Sequence, residues 1–221
     1  INSYALAEYW FGEGSRFNNY LFVFVGRVLG SAIMVNGKIL KGARNISSLI
    51  GHVVVEPEGP ECICGKKGCL DAVVSEIAIE REARHIIGTK EGGFLAYNQD
   101  RTFFDEIVNA AKSGNETYIE LFKRRGNYIG KAIAEIINLV DFEVIILSYL
   151  NIKEEWQEMQ EAYQTYSYQI DGMTGSLPKI ISGTFKEEQL SMVPSAIVVD
   201  RMFSDLDIRD NAAGELRAVL K

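Results

Sequence analysis

All three cysteines of the chain fall within eight residues, and one of its two histidines stands ten positions upstream of the first of them. From Gly51 the sequence reads GHVVVEPEGPECICGKKGCLD, which sets His52, Cys62, Cys64 and Cys69 at a His-x9-Cys-x-Cys-x4-Cys spacing. Zinc takes four soft or borderline donors in a tetrahedron, and three cysteines with one histidine is one of its structural sets. Backbone wound that tightly needs residues that accept unusual φ, and Gly65 and Gly68 supply them. Three thiolates around a dication leave one net negative charge, which Lys66 and Lys67 in the same loop offset. The competing reading is three buried free thiols and a core histidine. A Cys62–Cys64 disulfide is disfavoured, because so short a ring is strained and leaves Cys69 unpaired. Four protein donors also leave no open position for water, so the expected ion is structural rather than catalytic. The second histidine, His85, falls mid-helix and reads as a surface or packing residue.

The rest of the chain limits the setting of this loop. Its 221 residues are 47% apolar and 24% charged, which is globular composition and excludes disorder, collagen and coiled coil. With 23 Lys+Arg against 30 Asp+Glu the net charge is −7, a poor balance for holding a polyanion directly. The most apolar stretch, 129–150, is broken by Lys131, Glu135, Asp141 and Glu143, so no membrane span is expected. No basic segment followed by an apolar one opens the sequence, and a cytoplasmic protein is expected. The first residue is Ile1 and leads directly into helix-like sequence, which reads as one lobe whose upstream part has been removed.

Along the chain, strands alternate with helices. Runs 21–26 and 29–36 are apolar and β-rich, and Asn36-Gly37 is a hairpin signal before a short strand at 38–40. A further β-run is expected at 52–56. Ser75 caps a helix extending to 87, Asp100 caps another over 101–111, and Asn115 caps a long one over 116–140. In that last helix Tyr118, Leu121, Phe122, Ile129, Ala132, Ile133, Ile136, Ile137 and Val140 recur every three or four positions. Residues 144–147 read as a buried parallel strand, 154–168 as helix, 179–184 as strand and 187–203 as helix, with irregular connectors at 88–93 and 171–177. The fold class is therefore α/β, with a mixed sheet that is parallel where helices cross over. Trp156, Tyr163, Tyr166 and Tyr168 form either an interface or, at helical spacing, part of the core.

A Gly-His pair followed by CxCGxxGCLD resembles the zinc motif of the ROK family, named for repressors, open reading frames and sugar kinases. The helix-like 5–10 with Gly12, the hairpin NGKILKG at 36–42 and the stretch 132–147 resemble further family segments in the same order. The resemblance implies that residues 1–221 form one C-terminal lobe of an actin-like, ribonuclease-H-like ATPase fold. It also implies a homodimer or homotetramer.

The departures from that pattern bear on activity. The family's kinases hold ATP phosphates on a glycine- and threonine-rich turn. Here the matching stretch is GRVLGSAI at 26–33, a degenerate phosphate loop in which Gly26 and Gly30 remain while Arg27 and Val28 replace a Thr and a Gly. A β-branched residue there obstructs phosphate approach and disfavours φ > 0. Ser148, Tyr149, Leu150 and Asn151 replace a glycine run, and 193–196 replace small residues near the last helix. Hexose-binding members carry a Glu three residues before the zinc histidine, where this chain has Leu49. Asp71 keeps the acid after Cys-Leu, one methylene shorter, so His52 and Asp71 are the expected effector-binding residues. No residue present is assigned as a general base, and the expected class is a sugar-sensing repressor lobe, with a glucokinase-like sugar kinase as the alternative. DNA would then be contacted only by an N-terminal domain absent from this chain. Arg27 either binds an acidic effector or pairs with a nearby carboxylate.

Overall fold

A computed structural model describes residues 1–88, 102–148, 150–167, 176–185 and 192–203. Its centre is a five-stranded mixed sheet. Strands β1 (Tyr20–Val25), β2 (Leu29–Val35) and β3 (Lys38–Ile39) form an antiparallel meander, and β4 (Val144–Leu147) and β5 (Lys179–Ser182) extend it in parallel beside β1. The spatial order is β3-β2-β1-β4-β5. The meander turns at Asn36 and Gly37, both at positive φ, as an Asn-Gly hairpin requires.

Both faces of the sheet are covered, which is why β1 and β4 read as unbroken apolar runs rather than alternating ones. Leu21, Val23, Val25, Ile145 and Leu147 face one side. There they pack on α2 (Leu70–Val74), α5 (Glu116–Ile136) and α6 (Lys153–Tyr166) through Val73, Ile129, Ile133 and Met159. Tyr20, Phe22, Val144 and Ile146 face the other side, against α1 (Asn2–Phe11) and α7 (Met192–Phe203). A satellite core joins α3 (Glu76–Ile86), α4 (Thr102–Lys112) and α5 through Ile79, Ile107 and Phe122.

Ser75 and Asn115 cap α3 and α5 as expected, accepting the backbone N–H of Ala78 and Tyr118. Two expectations need correction. The run 52–56 is not a strand: Ile50–His52 form a 3-10 turn, and Val54 makes only an isolated bridge with Cys69. The N–H groups of Val55 and Glu56 are both given to the Gly68 carbonyl, so this segment wraps the cysteine loop instead of joining the sheet. The long helix stops at Ile136, because Asn138 and Leu139 turn back onto the carbonyls of Glu135 and Ile136 and lead the chain into β4. Helix α2 was not expected at all. Residues 100–101, 187–191, Tyr149 and Tyr168 lie outside the described residues, as do nearly all of the expected connectors. Tyr163 is buried, with its hydroxyl donating to the Pro178 carbonyl at 2.9 Å, whereas Tyr166 is exposed beneath the Lys131 ammonium.

Where α2, α5 and α6 meet, a buried ion pair holds them. Arg125 Nε donates to the Val74 carbonyl at 2.7 Å, and its Nη1 stands 3.4 Å from Glu155 Oε1, both side chains being fully buried. Burial pushes the Glu155 carboxyl above its ordinary range, against the opposing pull of Arg125. Replacing Arg125 alone strands that carboxylate. Arg125→Met is expected to cost about 3–5 kcal/mol at neutral pH in urea unfolding. The loss should shrink as the pH falls, because the folded variant then binds the proton that relieves Glu155 more readily than the unfolded chain does. Arg125→Met/Glu155→Leu should recover most of the loss.

Candidate functional site

The cysteine loop is built by backbone hydrogen bonds. Gly65 N–H donates to the Cys62 carbonyl and Cys62 N–H to the Lys66 carbonyl, closing a knuckle that brings Cys62 and Cys64 to one side. Gly68 N–H donates to the Pro60 carbonyl, and Leu70 N–H to that of Val53, which seats Cys69 at the start of α2 beside His52. Two glycines here are obligatory for different reasons. At Gly68, with φ of +63°, a Cβ would lie 1.5 Å from the Glu56 carbonyl oxygen. At Gly51 a Cβ would lie 2.5 Å from the Leu29 carbonyl oxygen, so only glycine lets the turn carrying His52 rest on β2.

One donor atom each from His52, Cys62, Cys64 and Cys69 lies within 4.8 Å of the others. Cys62 Sγ is 3.5 Å from His52 Nδ1, and Cys64 Sγ is 3.5 Å from Cys69 Sγ. A zinc–sulfur bond of about 2.3 Å gives a tetrahedral edge of about 3.8 Å, so the donor set fits a four-coordinate metal ion in both chemistry and spacing. All three cysteines are free thiols; Cys62 and Cys69 are buried and Cys64 is exposed. Burial, with the neighbouring thiols adding to it, pushes the Cys69 thiol up to about 12, whereas the Lys66 backbone N–H draws Cys64 down. Lys66 Nζ donates to the His52 carbonyl at 2.6 Å, which places one of the two loop lysines at the site. His85 is exposed on α3.

Beside His52 opens a cleft of about 400 Å³, lined among others by Leu29, Gly30, Ser31, Ser48, Leu49 and His52. Asp71 is not among its lining residues. Its Oδ1 accepts the Leu29 N–H at 2.6 Å, and burial raises its carboxyl against the pull of that bond and of His52. His52 thus belongs to both the donor cluster and the cleft, while Asp71 braces the cleft floor from behind.

The β1–β2 turn, the expected phosphate loop, is closed on itself. Gly26 N–H donates to the Val28 carbonyl, and the Gly26 carbonyl accepts the N–H of Glu76. The Arg27 guanidinium is ion-paired with Glu80 of α3, and both side chains are largely buried. Of the two roles open to Arg27, the pairing with a carboxylate is the one present. Ser148 follows β4 and its Oγ accepts the Val25 N–H at 2.9 Å, bracing the same turn.

Sequence reasoning missed the buried carboxylate of Glu8. Glu8 of α1, 1% exposed, accepts N–H groups from Glu13, Thr184 and Phe185, so it clamps the end of α1 to the segment after β5. Its partners lie up to 177 positions away. The only local signal was a charged residue inside an apolar helix.

A layered mixed sheet of this order, with a metal-type knuckle at one end, defines a lobe of the actin-like kind. The ROK family model matches residues 1–173, and the chain belongs to that family. Its relatives include both of the family's activities. Glucokinase of Thermotoga maritima is 31% identical over 66% of this chain and 47% of that protein. The DNA-binding transcriptional dual regulator NagC of Escherichia coli is 34% identical over 67% of this chain and 36% of its own length. The chain therefore spans less than half the length of these relatives. Among solved structures, a ROK hexokinase from Thermus thermophilus superposes with a TM-score of 0.73 at 23% identity, covering 89% of this chain and 62% of that one. A ROK transcriptional regulator homologous to the E. coli MLC protein also gives 0.73, at 26% identity, over 89% of this chain and 49% of its own.

The two loop glycines should separate experimentally. Gly68→Ala, with its backbone clash, is expected to cost more than about 2 kcal/mol in urea unfolding. Gly65→Ala, where a Cβ meets nothing within 4 Å, should cost only the conformational penalty of about 1 kcal/mol.

Proposed function

We propose that this chain is the effector-sensing and oligomerisation lobe of a cytoplasmic ROK-family repressor that has lost sugar phosphorylation. The observation that carries this reading is the closed turn at Gly26, Arg27 and Val28. A phosphate-binding nest works by aiming free backbone N–H groups at the anion. Here the Gly26 N–H is spent on the Val28 carbonyl, and the Glu80 carboxylate beneath the turn repels a phosphate while it neutralises Arg27. A sugar or sugar derivative held in the cleft beside His52 then acts by differential affinity for two conformations of an oligomer, with no group transferred. DNA would be contacted by a domain outside these residues, which agrees with the acidic balance of this lobe.

Zinc is the ion that the four donors suit. Bound there, it neutralises the thiolates and cross-links the loop. His52, Cys62, Cys64 and Cys69 would hold it, Lys66 would offset the residual charge, and Gly51 and Asp71 tie the loop to β2. Elemental analysis of purified protein should find one zinc per chain. Because metal binding in small zinc domains contributes about 10–16 kcal/mol, a strong chelator should lower the thermal midpoint and make all three thiols, the buried Cys62 and Cys69 included, reactive toward a thiol reagent. Metal-free protein with an unchanged midpoint would remove the structural role.

The second reading, an ATP-dependent sugar kinase, is favoured by the similarity to the Thermotoga glucokinase. A coupled assay of the full-length protein with ATP and glucose, N-acetylglucosamine or xylose decides between them. The expected result is no turnover above background, together with DNA binding that a sugar releases. Steady turnover with any of these sugars would replace the repressor reading by the kinase one.

A further inference from the structure

We propose that the cysteine loop is a site of oxidation by hydroperoxides, in which Cys64 is the sulfur attacked and Cys69 is the one that closes a disulfide onto it. The release of an ion that follows rests on the structural-zinc reading above; the sulfur chemistry does not.

Exposure separates the three sulfurs. Cys64 is exposed, whereas Cys62 and Cys69 are buried. The chain around Cys64 stands clear of the fold: Ile63, Gly65, Lys66 and Lys67 are exposed too, and a Cβ at Gly65 would meet nothing within 4 Å. A dissolved oxidant therefore meets Cys64 first, on a turn with room to move. Distance then selects the partner. Cys69 Sγ lies 3.5 Å from Cys64 Sγ, so a closure of about 1.5 Å brings the pair to the disulfide bond length of about 2.0 Å. The movement falls to Cys64, because Cys69 is fixed at the head of α2, where the next N–H, that of Leu70, is held by the Val53 carbonyl. Cys62 is the poorer partner. It is two positions from Cys64, which makes a strained ring, and its Sγ stands 3.5 Å from His52 Nδ1.

The chemistry runs in two steps. Cys64 sulfur attacks one peroxide oxygen, the O–O bond breaks, and the departing hydroxide takes up the thiol proton as water, leaving a sulfenic acid on Cys64. Cys69 sulfur then attacks Cys64 sulfur, the S–S bond forms, and the hydroxyl leaves with the Cys69 proton as a second water. Two thiols have lost two electrons and two protons, and the peroxide has been reduced to two waters. The ring so closed lies wholly within the loop and includes no part of His52, whereas the four donors together reach from His52 to Cys69. Only His52 and Cys62 remain as donors, too few for a structural ion that takes four. Oxidation thus removes the cross-link between the knuckle and the turn that carries His52, and leaves the hydrogen bonds between them.

Peptide mapping of the full-length protein after hydrogen peroxide treatment tests this. The expected product is an intrachain Cys64–Cys69 cross-link, with Cys62 still open to alkylation. With dimedone present to trap sulfenic acids, Cys64 should be labelled about tenfold more than Cys62 or Cys69. A chromogenic chelator should report one ion released per cross-link, and a thiol reductant with added zinc should restore the starting protein. A cross-link that includes Cys62, a cross-link between chains, dimedone found first on a buried cysteine, or no cross-link at peroxide levels that oxidise free glutathione would each overturn the proposal. An ion retained beside a formed disulfide would overturn its release. Protein isolated without zinc would remove the structural-zinc reading and leave the peptide map to decide this one.

Discussion

Three sulfurs and an imidazole gathered within 4.8 Å are the constraint around which one end of the lobe is arranged. Soft donors at tetrahedral spacing have no reason to converge by packing alone, because a Cys62–Cys69–Ala72 cluster is too small to bury much area. Their convergence dictates the surrounding backbone. Val53, Val55, Glu56 and Pro60 spend their hydrogen-bonding groups on the cysteine loop, and so they are unavailable to the sheet. The same wrapping delivers His52 to the cleft and Cys69 to the head of α2, where Asp71 reaches back to Leu29. Donor cluster, helix and cleft floor are therefore one mechanical unit, tied to β2 by the close approach at Gly51.

How much of this was legible from sequence follows from the range of each interaction. The strand 144–147, both serine and asparagine caps and the Asn-Gly hairpin depend on neighbours within a few residues, and each lies where the residue pattern placed it. The four donors were legible because their chemistry is rare and their spacing tight. Residues 52–56 were misread because HVVVE carries strong β-propensity, and propensity yields when tertiary hydrogen bonds take the backbone elsewhere. Helix α2 was hidden by its length of five residues, too short for a periodic signal.

The charged groups in the core form a third category. Glu8, Arg125 and Glu155 carry no local mark beyond a charge on an apolar face, since most of their partners come from distant segments. Arg125 does fall in step with Leu121, Phe122 and Ile129 on α5, so the periodicity that marked the core also contained the exception. A charge in step with the apolar stripe of a long helix is therefore a pointer to a buried pair, though it does not name the partner.

One scaffold serving both kinases and repressors asks what distinguishes a site that transfers a phosphate from one that only reports a ligand. Phosphoryl transfer needs preorganised donors around a highly charged group, and their cost is borne by leaving backbone N–H groups unpaired in the empty state. Sensing has no such need and gains from closing those groups off, since a turn that satisfies itself is more stable and presents no competing anion site. The turn at Gly26 is closed in this way, by its internal hydrogen bond, its tie to Glu76 and its ion pair to α3. The cleft beside His52 is open, at about 400 Å³, and within its lining Ser31 and Ser48 are hydrogen-bonded to each other. On the repressor reading proposed above, a closed turn at one end and an open cleft at the other would suit a lobe that reports a ligand without turnover.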